Sequence, residues 1–132
     1  MIYTKQQIIE SHPRFCKLLN SPDEICTYDG WNSILFAAAS SIEEAIEYRM
    51  DLPEEEKSKL YAVQIKSKFG GLRIYTNFTY PYINGIILMA GKMSIHTCEI
   101  CGNEAQIREI NRWYWTLCTH HYEIKTMEIN KR

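Results

Sequence analysis

Two close pairs of metal-binding residues stand near the end of this chain, Cys98-Glu-Ile-Cys101-Gly102 and Cys118-Thr-His120-His121. Sixteen residues separate Cys101 from Cys118. This pattern constrains the fold more than anything else in the sequence, because paired thiolate and imidazole ligands close a tetrahedron around one ion. Zinc suits that donor set. Cys98, Cys101 and Cys118 supply three sulfurs. The fourth ligand is His121 or its neighbour His120, and spacing favours His121, which repeats the two-residue gap of the first pair. Four protein ligands leave no open position for a reactive water, so the expected zinc is structural. Its binding then contributes directly to folding, since the segment has little core of its own. The plainer alternative is three buried cysteines, which packing alone seldom places at paired spacing.

The rest of the composition bounds the partner class. At 132 residues and 45% hydrophobic, the chain supports one packed core. A net charge of −1 excludes a general polyanion binder and leaves room only for a local basic patch. No apolar run reaches the ~20 residues that span a bilayer. The opening Met1-Ile-Tyr-Thr-Lys5-Gln6 lacks the basic-then-apolar order of a secretion signal. A cytoplasmic protein is expected, in which Cys16 and Cys26 are packed free thiols rather than a disulfide.

Upstream of the cysteines, periodicity predicts an α+β fold with helices packed on a small antiparallel hairpin. Residues 4–20 read as two short helices kinked near Ser11-His12, because Pro13 lacks an amide hydrogen. His12 reads as a boundary residue. Ile34, Leu35, Ala38, Ile42, Ala45 and Ile46 recur at helical spacing, with Asp29 or Asn32 as cap and Glu43, Glu44 and Glu47 on a solvated face. Glu54-Glu55-Glu56 after Pro53 reads as the acidic first turn of a short helix. Residues 60–79 predict a hairpin. Tyr61, Val63 and Ile65 share one face, Gly70-Gly71 makes the turn, and the return strand puts Leu72, Ile74, Thr76 and Phe78 on one face and Arg73, Tyr75 and Asn77 on the other. Tyr82 to Ile95 predicts an apolar helix that delivers the chain to Cys98. Residues 1–97 thus form an expected body. Residues 98–132 form a zinc-knuckle module with a C-terminal helix, packed with the body as one unit. Trp113, Tyr114 and Trp115 serve this module as core or as a stacking platform.

The hairpin also carries the candidate ligand site. Lys66, Lys68, Arg73 and Tyr75 fall on its outer face if the strands pair across the glycines. Arginine grips phosphate bidentately and a tyrosine ring stacks on a base, so a nucleotide fits that set. A solvated face, with lysines discouraging edge-to-edge pairing, is the plainer account.

Two resemblances extend this reading. The segment Trp115-Thr-Leu117-Cys118-Thr-His120-His121-Tyr-Glu-Ile-Lys125-Thr126 resembles the closing segment of HNH endonucleases, which follows a Cys-x-x-Cys knuckle. Those enzymes require a histidine base between their knuckles, and none lies between Gly102 and Leu117 here. The resemblance therefore implies a degenerate, non-catalytic zinc module. More widely, Asp29-Gly30-Trp31, Lys66-Ser-Lys68-Phe69-Gly70-Gly71-Leu72-Arg73-Ile-Tyr75, Cys98-Glu-Ile-Cys101-Gly102 and Trp115-Thr-Leu-Cys118 with His121 are together similar to a family of small proteins. These occur in bacterial genomes, prophages and phages. That family offers no activity to transfer. It implies one zinc-bearing α+β domain and an accessory factor acting on the host, located in the host cytoplasm if phage-encoded.

The expected function is accordingly a small zinc-stabilised binding protein that captures a nucleotide second messenger or a host protein, as a host-defence antagonist would. No residue is assigned a catalytic role. The alternative is a nucleic-acid-binding zinc protein, with Arg108, Arg112, Lys125, Lys131 and Arg132 on phosphates, and behind it a nuclease relative. Self-association into a homo-oligomer is compatible with every one of these readings.

Overall fold

A computed structural model describes residues 2–131. The element order is α1 (Lys5–Ser11), β1 (Ile25–Cys26), α2 (Asn32–Glu44), α3 (Glu54–Lys57), β2 (Ala62–Lys68), β3 (Gly71–Thr76), α4 (Pro81–Ser94), β4 (Gln106–Ile110), β5 (Trp113–Leu117) and α5 (Thr119–Asn130). The fold is α+β with two small sheets. One is three-stranded in the order β1-β2-β3, and the other is the β4-β5 hairpin. No helix among the described residues is long and apolar enough to cross a membrane.

The first core lies between α2, α4 and the inner face of β2-β3. Trp31, Leu35, Ile42, Ile65, Leu72, Ile74 and Ile83 are all buried there. Helix α2 forms because Ile34, Leu35, Ala38 and Ile42 recur on one side, and that side is the buried one. The helix then widens into a π-turn over Ala45–Arg49, which keeps Ala45 and Ile46 inside. Helix α4 starts on Pro81, whose fixed φ suits a first turn. It hangs from β3 through Ser94, whose Oγ accepts the Leu72 N–H at 2.9 Å and donates to the Gly91 carbonyl at 2.6 Å.

Several expectations are corrected here. The second short helix after Pro13 is a run of turns. His12 is the boundary residue expected, the C-cap of α1, and it is also buried, bonded through Nδ1 to the Ile8 carbonyl and through Nε2 to Ser40 Oγ. Glu43 is not on a solvated face: its two carboxylate oxygens accept the backbone N–H groups of Arg14 and Phe15 at 2.9 and 2.7 Å. Those donors need an outside partner because the chain around Pro13 is not helical. Neither Asp29 nor Asn32 caps α2 directly. Asn32 lies inside the helix and donates to the Tyr3 carbonyl and to Asp29.

The hairpin differs in two details. A register shift at Val63 breaks the expected alternation, so Ala62 and Ile65 enter the core while Val63 stays half exposed. The turn consists of Phe69-Gly70, both at positive φ (54° and 80°), and Gly71 already pairs with Lys68. Positive φ at both central residues makes this a type I′ turn, whose twist matches the strands.

The second core is smaller. Cys98, Ile110 and Leu117 are buried, with Ile100, Ala105, Trp115, Tyr122 and Ile129 packed around them. The β4-β5 hairpin fills the interval between the two cysteine pairs, where no strands are expected from the sequence. Its two-residue turn is Asn111-Arg112, again at positive φ (52° and 66°).

Candidate metal centre and the adjoining cavity

The Cys98–Cys101 loop is a closed knuckle. Thr97 and Glu104 bridge in antiparallel fashion, the Cys98 N–H donates to the Asn103 carbonyl at 2.7 Å, and Gly102 turns back at φ 82° to donate to the Cys98 carbonyl. The second pair sits where β5 runs into α5. Cys118 is the N-cap residue of α5, and its sulfur accepts the His121 N–H at 3.4 Å. That placement turns His121, one helical turn on, toward the knuckle.

The result is a cluster of Cys98, Cys101, Cys118 and His121 whose ligand atoms all lie within 4.8 Å of one another. Bond lengths of about 2.3 Å to sulfur and about 2.0 Å to nitrogen imply tetrahedron edges near 3.8 Å between sulfurs and near 3.5 Å between sulfur and nitrogen. The observed separations are 3.8 Å for Cys101 Sγ to Cys118 Sγ, 3.7 Å for Cys98 Sγ to His121 Nδ1 and 3.3 Å for Cys118 Sγ to His121 Nδ1. The donor set and its spacing fit a tetrahedral cation. His121 points Nδ1 inward, whereas His120 is exposed and outside the cluster, with its ring 5.0 Å from that of His121. The thiols compete when left to themselves. Burial would raise Cys98, but the N–H groups of Cys118, Cys101 and Ile100 more than offset it and hold Cys98 below the ordinary thiol value. Burial, together with Cys98 and Cys118 alongside, pushes Cys101 up to about 11. A divalent cation at the centre would relieve this conflict by its charge.

The knuckle is joined to the body by the Asp29-Gly30-Trp31 turn. Gly30 donates to the Glu99 carbonyl, and the Trp31 indole, fully buried, donates to the Thr97 carbonyl at 2.8 Å. From the other side, Thr116 on β5 donates its hydroxyl to the Gly70 carbonyl and its backbone N–H to Glu99 Oε2. Glu99 is 1% exposed. Burial raises its carboxyl to about 7, against the opposing pull of the Thr116 N–H, the Ser67 hydroxyl and the Lys125 charge.

Above Glu99 lies a cavity of about 710 Å³ between the body sheet and the β4-β5 hairpin. Its walls are aromatic: Tyr28, Phe69, Trp113, Tyr114 and Trp115. Lys66, Lys68 and Arg112 add cations to the lining. Lys125 lies 4.3 Å over the Trp115 ring and 5.6 Å from the Tyr28 ring, which fixes that wall from behind. Two residues of the lining also carry buried polar atoms without a hydrogen-bond partner among the described residues, Thr27 Oγ1 and Trp115 Nε1.

Of the four residues expected to share the ligand face, Lys66 pairs with Arg73 and Gln64 with Tyr75, so the register places them on one side of the sheet. They divide between two depressions. Lys66 and Lys68 line the large cavity, while Arg73 and Tyr75 line a second one of about 530 Å³ that shares Lys68 and Phe69. Among the expected phosphate contacts, Arg112 lines the large cavity. Arg108 is engaged internally, donating to the Leu117 carbonyl at 2.9 Å with its guanidinium 4.6 Å from the Tyr122 ring. Lys131 is exposed, and Arg132 lies outside the described residues. Sequence reasoning did not connect Tyr28, Phe69, Arg112 and the tryptophans into one site. The aromatic and β-branched run Trp113-Tyr114-Trp115-Thr116 directly after Asn111-Arg112 is the signal that could have raised the second hairpin.

No protein-family model, curated protein or solved structure matches this chain.

Proposed function

We propose that this is a zinc-stabilised binding protein whose ligand is a nucleotide held in the cavity between the two hairpins. The observation that carries the reading is the combination of wall chemistries. Stackable rings at Tyr28, Trp113 and Tyr114 stand with the cations Lys66, Lys68 and Arg112 around one space of about 710 Å³. That size is within the range of small-molecule sites. Flat bases stack on such rings, and phosphates pair with such cations. Zinc at Cys98, Cys101, Cys118 and His121 would hold the knuckle and β5, hence one whole wall, in place. In the accessory role implied by the phage and prophage resemblance, the ligand would be a host nucleotide signal.

Calorimetry against linear, cyclic and cyclic di-nucleotides tests this. Saturable binding by at least one of them is expected, weakened about tenfold by Trp113→Ala, the order of one lost stacking contact. The absence of heat with every member of the panel refutes it.

A second reading, a binder of single-stranded nucleic acid, draws on the exposure of Trp113, at 66%. The internal engagement of Arg108 and Lys125 weighs against it. A salt-sensitive gel shift at low ionic strength would favour this second reading.

A further inference from the structure

Three non-glycine residues adopt positive φ among the described residues: Phe69, Asn111 and Arg112. Asparagine visits this region readily, but a bulky side chain there is strained, because its Cβ crowds the neighbouring carbonyl. Glycine at 69 or 112 would give the same type I′ turn without that strain. The two strained side chains, Phe69 and Arg112, sit at the tips of different hairpins, yet both line the same cavity. Neither side chain is needed to fill a core. Phe69 is 67% exposed and Arg112 is exposed. Asn111, which tolerates its conformation, does not line the cavity.

We propose that Phe69 and Arg112 form a two-sided grip at the cavity mouth, Phe69 stacking on the ring of a nucleoside phosphate and Arg112 pairing with its phosphate. This rests on the nucleotide reading and adds which residues select the ligand and why positions 69 and 112 are not glycine. Strain concentrated at a ligand site, and absent from the adjacent Asn111, is the pattern expected when a side chain is kept for binding rather than for the turn. Lys68, whose Nζ lies 5.6 Å from the Phe69 ring, adds charge beside the stacked face.

The test uses the full chain loaded with zinc and titrated with adenosine and guanosine 5′-diphosphates. Three variants are compared with the parent: Phe69→Gly, Arg112→Gly and Asn111→Gly. Each replacement suits its turn, so the melting temperature of every variant should equal or exceed the parent's. Affinity for the diphosphate should fall at least tenfold in Phe69→Gly and Arg112→Gly, and stay within twofold in Asn111→Gly. A lowered melting temperature in either of the first two would make the side chain structural and overturn the proposal. Undiminished affinity in them would do the same. Absence of binding by the parent to both diphosphates would overturn the grip on a nucleoside diphosphate, whereas only absence across the whole nucleotide panel would sink the nucleotide reading on which it stands, so the two failures are distinguishable.

Discussion

Gly30 donates its backbone N–H to the Glu99 carbonyl over 2.7 Å, and a Cβ on Gly30 would fall 2.0 Å from the Cys98 carbonyl oxygen. The first backbone segment of the metal knuckle therefore lies directly on the Asp29-Gly30-Trp31 turn, with no space for a side chain between them. Body and knuckle meet through main chain, and the metal site inherits its position from that contact.

Gly30→Ala should accordingly destabilise the protein by about 3 kcal/mol or more, the upper end of overpacking costs, because the opposing atoms are backbone. Gly85→Ala is the contrasting change. It lies inside α4 with open space around its missing Cβ, so it should stabilise by roughly 0.5–1 kcal/mol through helix propensity. Denaturant unfolding of the two variants measures both signs.

The two adjacent histidines should separate cleanly. His121→Ala should reduce zinc affinity by more than the roughly 10–100-fold that loss of a supporting residue costs, because it removes a ligand. His120→Ala should leave affinity unchanged, since His120 lies outside the cluster. Competition with a chromogenic chelator reads both.

Thiol chemistry should report three environments. Cys26 is exposed and reacts in the native state. Cys16 is buried, its thiol pushed up to about 12 by desolvation and by Glu43, and stays silent. With zinc bound, Cys98, Cys101 and Cys118 are protected. One thiol should therefore titrate in the native protein, and all five in denaturant with chelator.

Acid should act in part through the joint. The Lys5 ammonium, 2.7 Å from Asp29 Oδ1, holds the Asp29 carboxyl below its usual value. A depressed carboxyl contributes stability that is complete above the unfolded value near 4 and fades as pH falls through the lower folded value. Asp29 is largely exposed, so the pair is worth roughly 0.5 kcal/mol. Lys5→Met should remove that increment at pH 6 and leave stability near pH 2 unchanged, as followed by urea unfolding at each pH.

The α2 and α4 helices and the clustering of Cys98, Cys101, Cys118 and His121 were legible in the chain because each obeys a short-range rule. Helical burial repeats every three to four residues, and tetrahedral ligation needs paired donors. What was not legible depends on distant partners. Glu43 reads as a surface acid until Arg14 and Phe15, some thirty positions away, present unpaired N–H groups to it. Two-residue β1 exists only because Ile25 and Cys26 pair with Ile65 and Lys66. The β4-β5 hairpin escaped because its apolar residues do not keep to one face: Ile110 is buried, while its partner Trp113 is exposed. The cavity combines residues from four separate stretches, so no local pattern announces it.

The account depends most on one ion joining Cys98, Cys101, Cys118 and His121. Elemental analysis of the purified chain beside native mass spectrometry tests it directly. One zinc per chain is expected, lost together with the folded state when Cys101 and Cys118 are both changed to serine. A natively folded chain that carries no stoichiometric metal, or a double variant with unchanged zinc content, would contradict it.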